Sequence, residues 1–279
     1  MENAKAFAPG NLSCVFKIIP HPKATKMHSL GMGFTITEGV VATVSKGDSR
    51  TSVRFNGADI HFPTVTSVVQ KLTSHPVDIN IDSPLPLGCG FGLSGAASLA
   101  TTYALNLLLE LGKSQEELAM TSHVAEVENR TGLGDVCAQY HGGCLVKLKK
   151  GYPLAAERLP IPEQAIYYRY FSSIQTKTIL ENAERRRRIN GAADEALEAL
   201  EKLTKSDAVD FNACIQLSKQ FSLDSGLLED TRVRKTIREI EEAGGVASMI
   251  MLGNAVFSTH PFEGATETKL SEDERGRLL

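Results

Sequence analysis

The chain has 279 residues, 23% of them charged and 42% hydrophobic, with a net charge of −3. That is the balance of a folded soluble protein, and its mild acidity and lack of a basic stripe argue against a nucleic-acid surface. The longest apolar stretch, 96–111, is interrupted by Thr101, Thr102, Asn106 and Glu110, so it falls short of the roughly 20 apolar residues of a membrane span. The five cysteines are odd in number and form no C-x-x-C, and no secretory leader stands at 1–10. This points to reduced thiols and a cytoplasmic protein.

Along the chain, 31–45 and 50–62 alternate apolar and polar residues and predict strands, with Asn56-Gly57 as a hairpin turn. Ser29 falls in H-S-L-G-M-G, which reads as an exposed glycine-bearing turn after the first strand. Asp78 to Asp82 is a further short strand. The Ala/Leu-rich stretch 95–111 predicts a helix, and 114–129 a second, opened by a capping box of Ser114 and Glu117. A turn at 131–134, a short helix at 135–140 and a strand at 143–149 follow. Prolines 153, 160 and 162 mark a boundary, dividing the chain into 1–158 and 159–279. Beyond it come a strand at 165–171, helices at 175–203, 209–222 and 231–243, and a hairpin at 246–258. The second half is therefore α+β, with a small antiparallel sheet. Arg185 to Arg188 reads as a solvated helix face, with Glu181 and Glu184 each four residues before an arginine.

One segment stands out. Residues 84–97 run P-L-P-L-G-C-G-F-G-L-S-G-A-A, after a strand and into a helix. Glycines let backbone approach a ligand closely, and the unpaired N–H groups of a helix start favour an anion. Ser94 can reach a phosphate oxygen or its metal. The stretch fits neither the Walker loop nor G-x-G-x-x-G. The plainer alternative is a turn whose glycines only let strand and helix pack.

The segment from Pro86 to Ala97 resembles the second motif of the GHMP kinases, the family of galactokinase, homoserine kinase and mevalonate kinase. Ala8-Pro9-Gly10-Asn11 resembles the family's first motif, and the stretch from Ala243 to Met249 (A-G-G-V-A-S-M) takes the place of the third, with fewer glycines. The resemblance covers essentially the whole chain. It implies a two-domain α+β fold, the N-terminal half like the second domain of ribosomal protein S5 and the C-terminal half ferredoxin-like. It also implies ATP and Mg²⁺ as cofactors, with Pro86, Gly88, Gly90, Gly92, Leu93, Ser94, Gly95 and Ala96 along the nucleotide.

On the same resemblance, Asp135 in T-G-L-G-D-V is the catalytic base, its alternative role being a helix cap. Glu126 with Ser94 holds Mg²⁺. Ser29, His123 and Lys147 face the phosphate acceptor; as unremarkable residues they would be a turn serine, a structural histidine and an edge-strand lysine. His123, Glu126 and Arg130 share a helix face, and Arg130 reads as solvated. Within the family, F-A-P-G-N, S-L-G-M-G and H-V-A-E with T-G-L-G-D-V-C-A-Q resemble the archaeal-type pantoate kinases. That implies transfer of phosphate from ATP to (R)-pantoate, giving 4-phosphopantoate on the way to coenzyme A. Other GHMP acceptors (homoserine, shikimate, mevalonate) and a non-catalytic ligand sensor are the alternatives. The expected partners are a small-molecule substrate, with no nucleic acid and no membrane; a homodimer is permitted but not required.

Overall fold

The computed structural model describes residues 2–174, 176–205 and 208–279. Its spine is a long antiparallel hairpin of β1 (Asn3–Ile19) and β2 (His28–Lys46), registered from Asn3 opposite Ser45 to Ile19 opposite His28. β1 is buried almost continuously because both its faces are covered. β2 starts at His28, so Ser29 is a half-buried strand residue opposite Ile18, not an exposed turn. The reason is the apolar run opposite, Val15, Phe16 and Ile18, which holds the strand pair together to its end.

Along its other edge β2 serves three partners in turn. Residues 41–46 pair with β5 (Val77–Asp82), and 31–34 pair with β6 (Cys144–Lys147). Between them Ile36 pairs with Leu270 of a late strand. β3 (Ser52–Phe55) turns through Asn56 (φ 48°) and Gly57 (φ 80°) into β4 (Ala58–Asp59), the doubly positive φ of the predicted tight hairpin. β3 is parallel to β5, and a parallel neighbour needs a crossover. Helix α1 (Pro63–Leu72) supplies it. No element was expected there, although Pro at the first helical position and Val65, Val68, Val69 and Leu72 at helical spacing are legible signals.

α2 (Leu93–Leu108) lies against β1 and β2. α3 (Gln115–Asn129), with the predicted Ser114–Glu117 capping box, and α4 (Asp135–His141) pack beside it. β7 (Glu157–Arg158) extends β6. β8 (Gln164–Ser173) follows, then α5 (Thr176–Glu181) and α6 (Ala183–Thr204). The single helix expected from Gln175, itself outside the described residues, is thus two. Asn182 is the reason: its side chain accepts from the backbone N–H groups of Glu184 and Arg185 and caps a new helix. That break also replaces the expected i,i+4 ion pairs. Glu181 pairs with Arg130 and Lys177, Arg185 with Glu229, and Arg188 donates to the Asp224 carbonyl.

α7 (Phe211–Asp224), α8 (Thr231–Glu242), β9 (Ala247–Met249) and β10 (Gly253–Ser258) complete the second half, with β11 (Thr266–Leu270) and β12 (Arg277–Leu278) at its end. β8 pairs with β10 and β11, and β11 reaches Ile36 of β2. The expected small C-terminal sheet is therefore continuous with the N-terminal one, as twelve strands among the described residues. One core lies around α2, β1 and β2. A second gathers Val15, Phe16 and Ile18 of β1 with Ile189, Phe221 and Val233 of the later helices.

Candidate functional site

The glycine-rich loop leaves β5 at Ser83, which is pinned on three sides. Its hydroxyl donates to the Gly39 carbonyl (2.8 Å), its N–H donates to Asn56 Oδ1 (2.9 Å), and its carbonyl accepts from Asn56 Nδ2 (2.9 Å). Gly88, Gly90 and Gly92 then take φ values of 77°, 89° and 62°, the left-handed region that only glycine adopts readily. Gly92 caps α2 without any side-chain acceptor. The first N–H groups of α2 are left to the cavity, which favours an anion there.

The loop is wedged against the β9–β10 turn. A Cβ on Gly253 would stand 2.0 Å from the Cys89 carbonyl oxygen, and one on Gly90 would stand 2.7 Å from that of Met251. This corrects the placement of the third motif. Residues 243–249 form the end of α8 and strand β9, where Ser248 bonds Ser218 in the interior. The residues that meet the loop are the next four, Ile250 to Gly253. Gly253→Ala is therefore expected to displace the loop and raise the KM for ATP at least tenfold, because backbone cannot yield as a side chain tip does. Gly191→Ala, where nothing lies within 4 Å, is the control that leaves KM unchanged. Equal values for both in steady-state kinetics would refute the wedge.

Behind the loop sits Glu126, in the last turn of α3 and 2% exposed. Its Oε1 accepts from the Ser94 hydroxyl and, at 2.7 Å, from that of Thr131. Thr131 is bonded in turn to Thr64 of α1 (3.1 Å). Its Oε2 is buried without a partner. Burial pushes the Glu126 carboxyl up to about 7; the charge of Asp135 adds to the rise, and the Ser94, Thr131 and Thr64 hydroxyls oppose it.

Asp135 is the first residue of α4. The helix cap is Gly134, not Asp135. Instead the Asp135 Oδ1 accepts from Asn11 Nδ2 at 2.7 Å. Burial raises its pKa too, against the Asn11 hydrogen bond. Glu126 and Asp135 converge on one glycine: a Cβ at Gly132 would stand 2.3 Å from Glu126 Oε2 and 2.9 Å from Asp135 Oδ2.

Ser94, Glu126, Asp135, Gly88, Gly90, Gly92 and Leu93 all line one cavity of about 450 Å³, with Met251 and Leu252 opposite. Pro86, Gly95 and Ala96, also expected along the nucleotide, are not among its lining residues; Ala96 is fully buried and Gly95 packs on Gln139. A hollow of about 40 Å³ joins Asp135 to Ser29, and another of about 60 Å³ joins Ser29 to Asn11, Ser13 and Lys147. Lys147 is not on a sheet edge, since β6 lies between β2 and β7. Its ammonium donates to the carbonyls of Tyr152 (2.6 Å) and Pro153 (2.8 Å), leaving one of its three donors.

His123 lines none of these spaces. It is 1% exposed and its Nε2 donates to the Met27 carbonyl at 2.9 Å. Burial holds its pKa down to about 4, so it is a neutral donor bracing the β1–β2 connection. Arg130 ends α3 with φ 57° and pairs with Glu181 at the surface. The sequence reading assigned no role to Asn11, although it stands in the first motif. It missed Thr64, which came with the unread helix α1, and Thr131, Gly132 and the Met251–Leu252 turn.

A family model for the GHMP kinases N terminal domain matches residues 61–143. The pantoate kinase of Methanocaldococcus jannaschii is 31% identical over 256 residues, 90% of this chain and 90% of that one. The pantoate kinase of Methanospirillum hungatei is 28% identical over 92% of this chain and 88% of its own. Among solved structures, a phosphotransferase related to the CoA biosynthesis pathway superposes with a TM-score of 0.84 at 24% identity, covering 99% of this chain and 98% of that one.

Proposed function

The chain belongs to the GHMP kinase family, which uses ATP as phosphoryl donor, and on that premise we propose that it phosphorylates the 4-hydroxyl of (R)-pantoate, giving 4-phosphopantoate and ADP. The observation that carries the reading is the convergence of Ser94, Glu126 and Asp135 on one glycine-lined cavity, joined by small hollows to Ser29 and Lys147.

In this reading the backbone N–H groups at the start of α2 hold the phosphates, and the 250–253 turn backs the loop. Asp135 accepts the proton of the attacking hydroxyl at Oδ2, the oxygen that Asn11 does not occupy. A carboxylate pushed up by burial is better matched to taking a proton near neutral pH than an exposed one. Ser94 and Glu126 are the residues that would hold Mg²⁺. Their oxygens suit a hard cation, and the unpartnered Oε2 of Glu126 is a buried donor atom in want of one. Among the described residues no three His, Cys, Asp or Glu side chains gather as a self-sufficient metal site, so phosphate oxygens would complete the shell. When bound, Mg²⁺ supplies charge neutralisation along the phosphates. Ser29 and Lys147 take the acceptor's carboxylate, and His123 acts at one remove by fixing Met27. No helix among the described residues is long and apolar enough to cross a membrane.

The test is ADP release with a panel of hydroxy acids and alcohols, with pantoate expected to give the highest kcat/KM. Clear turnover of another acceptor and none of pantoate would sink the substrate assignment and leave the fold untouched. Lys147→Gln is expected to raise the KM for pantoate 10- to 100-fold, with kcat changed only a few-fold. A charge-assisted hydrogen bond to a carboxylate is worth about 1.5–3 kcal/mol. An unchanged KM would remove Lys147 from the acceptor site.

A further inference from the structure

The cavity shared by Ser94, Glu126 and Asp135 is lopsided in charge. A transferring phosphoryl group brings negative charge into it, and the two acids add more. Among the described residues that line it, Lys177 is the one cationic side chain. It comes from the second half of the chain, on the short helix α5 that follows β8. Its neighbour Thr176 lines this cavity and also the hollow that joins Asp135 to Ser29. α5 therefore lies where the nucleotide space meets the acceptor space, the point at which a phosphoryl group changes hands.

Lys177 is loosely held. Its side chain is 63% exposed, and its ammonium lies 4.0 Å from Glu181 Oε1, one turn further along α5. That is too long for a hydrogen bond. A lysine four residues before a glutamate is also the weaker order of an exposed helical pair. The same Oε1 is taken by Arg130 Nη1. Arg130 ends α3, the helix that carries Glu126. Its bond to Glu181 fastens α5 to the wall of the cavity that holds Glu126, and it occupies the carboxylate that would otherwise hold Lys177. Lysine is a compact charge on a flexible stem, so the ammonium can leave so weak a partner for a phosphate oxygen.

We infer that Lys177 is a further catalytic residue whose ammonium contacts the γ-phosphoryl group of ATP and neutralises its charge during transfer, and that Arg130 is a positioning residue that engages Glu181 so that Glu181 does not capture the lysine. In the step, the bond from the γ-phosphorus to the bridging oxygen of ADP breaks and the bond to the acceptor oxygen forms. The acceptor's proton goes to Asp135. Lys177 keeps its own protons and donates hydrogen bonds throughout. The inference rests on the kinase reading and not on which alcohol accepts the phosphate.

Two measurements on the full chain test it. The first is the Kd of ATP and of ADP by titration with Mg²⁺ and without an acceptor. Lys177→Met is expected to weaken ATP about tenfold and leave ADP unchanged, since only ATP carries the group that the ammonium contacts. An equal loss for both nucleotides, or no loss for ATP, overturns the assignment. Failure of the unsubstituted chain to bind ATP overturns the kinase reading, and this inference with it. The second is kcat on the best acceptor of the panel. Lys177→Met should lower it about 10- to 100-fold, and Lys177→Arg, which keeps the charge, should stay within about tenfold of the unsubstituted chain. Near-normal turnover by Lys177→Met, or an equal fall in both variants, overturns the role. Arg130→Gln leaves Glu181 to Lys177 and should lower kcat a few-fold, and adding Glu181→Gln should restore it. A merely structural clasp is broken by either substitution, so a double variant no faster than Arg130→Gln alone overturns the positioning role.

Discussion

Asp135→Asn is expected to lower kcat by about 10³-fold while ATP still binds, within the range for loss of a general base. The substitution keeps the shape of the side chain. It also keeps an oxygen for Asn11 Nδ2, now 2.7 Å from Oδ1. What it removes is the ability of the other atom to take a proton. Because Asp135 is buried and its charge is disfavoured there, the neutral amide should not weaken the fold. A fall in activity can then be read as lost chemistry. The nucleotide loop approaches Asp135 at Gly92, where a Cβ would stand 3.0 Å from Oδ1, and at Gly95, where one would stand 3.3 Å from the Asp135 Cβ; the amide keeps the same shape at both places, so the loop's conformation should persist. ADP formation in a single turnover, with ATP affinity measured by titration, checks both halves. Turnover within tenfold of wild type would remove Asp135 from proton transfer.

Glu126→Gln is expected to do two things of opposite sign, abolishing most Mg-dependent turnover while stabilising the fold above neutral pH. The stability effect follows from linkage. The Glu126 carboxyl stands at about 7 in the folded chain against 4.5 when unfolded. Between those values the folded state holds a proton that the unfolded state has lost. Stability therefore falls as pH rises through that window, by on the order of 3 kcal/mol, and is not regained above it. Glutamine cannot ionise, so the variant should escape this fall. It still accepts from Ser94 and Thr131 through its amide oxygen. Denaturant midpoints from pH 4.5 to 8.5 in the presence of EDTA measure the effect. Parallel curves for the two proteins would mean that Glu126 is not buried as a costly charge. Wild-type metal dependence of turnover in the variant would separately dismiss the metal role. A residue that destabilises the fold it sits in is what a functional position leads one to expect.

Much of this architecture was legible in the chain itself. Period-2 alternation marked β2, the Ser114–Glu117 box marked the start of α3, and Asn56-Gly57 marked a turn whose φ values only such residues adopt easily. These are local signals, decided within a few residues of themselves. The glycines of 88–92 were equally legible as a place where backbone comes close to something. What they come close to was not: the 250–253 turn lies some 160 positions away, and no local pattern distinguishes it from residues 243–249. Thr64 and Thr131 carry no mark in sequence, because a threonine beside a carboxylate is defined only by the carboxylate. Asn182 cut a helix whose periodicity ran on without it, since one capping side chain can outweigh a continuous pattern.

The sequence by itself determined the elements and the chemistry available: a glycine loop entering a helix, two acids at 126 and 135, and cationic and hydroxyl residues for an acid substrate. Only the tertiary structure decided which of these share a space. Ser29 was drawn from an imagined turn into a strand opposite Ile18. His123 was turned away from the cavities to the Met27 carbonyl. Asn11 was aimed at Asp135 by a bulge that depends on the register of twenty-odd intervening residues. Side-chain identity sets what a group can do, and long-range packing, which no short window of the chain encodes, sets what it does it to.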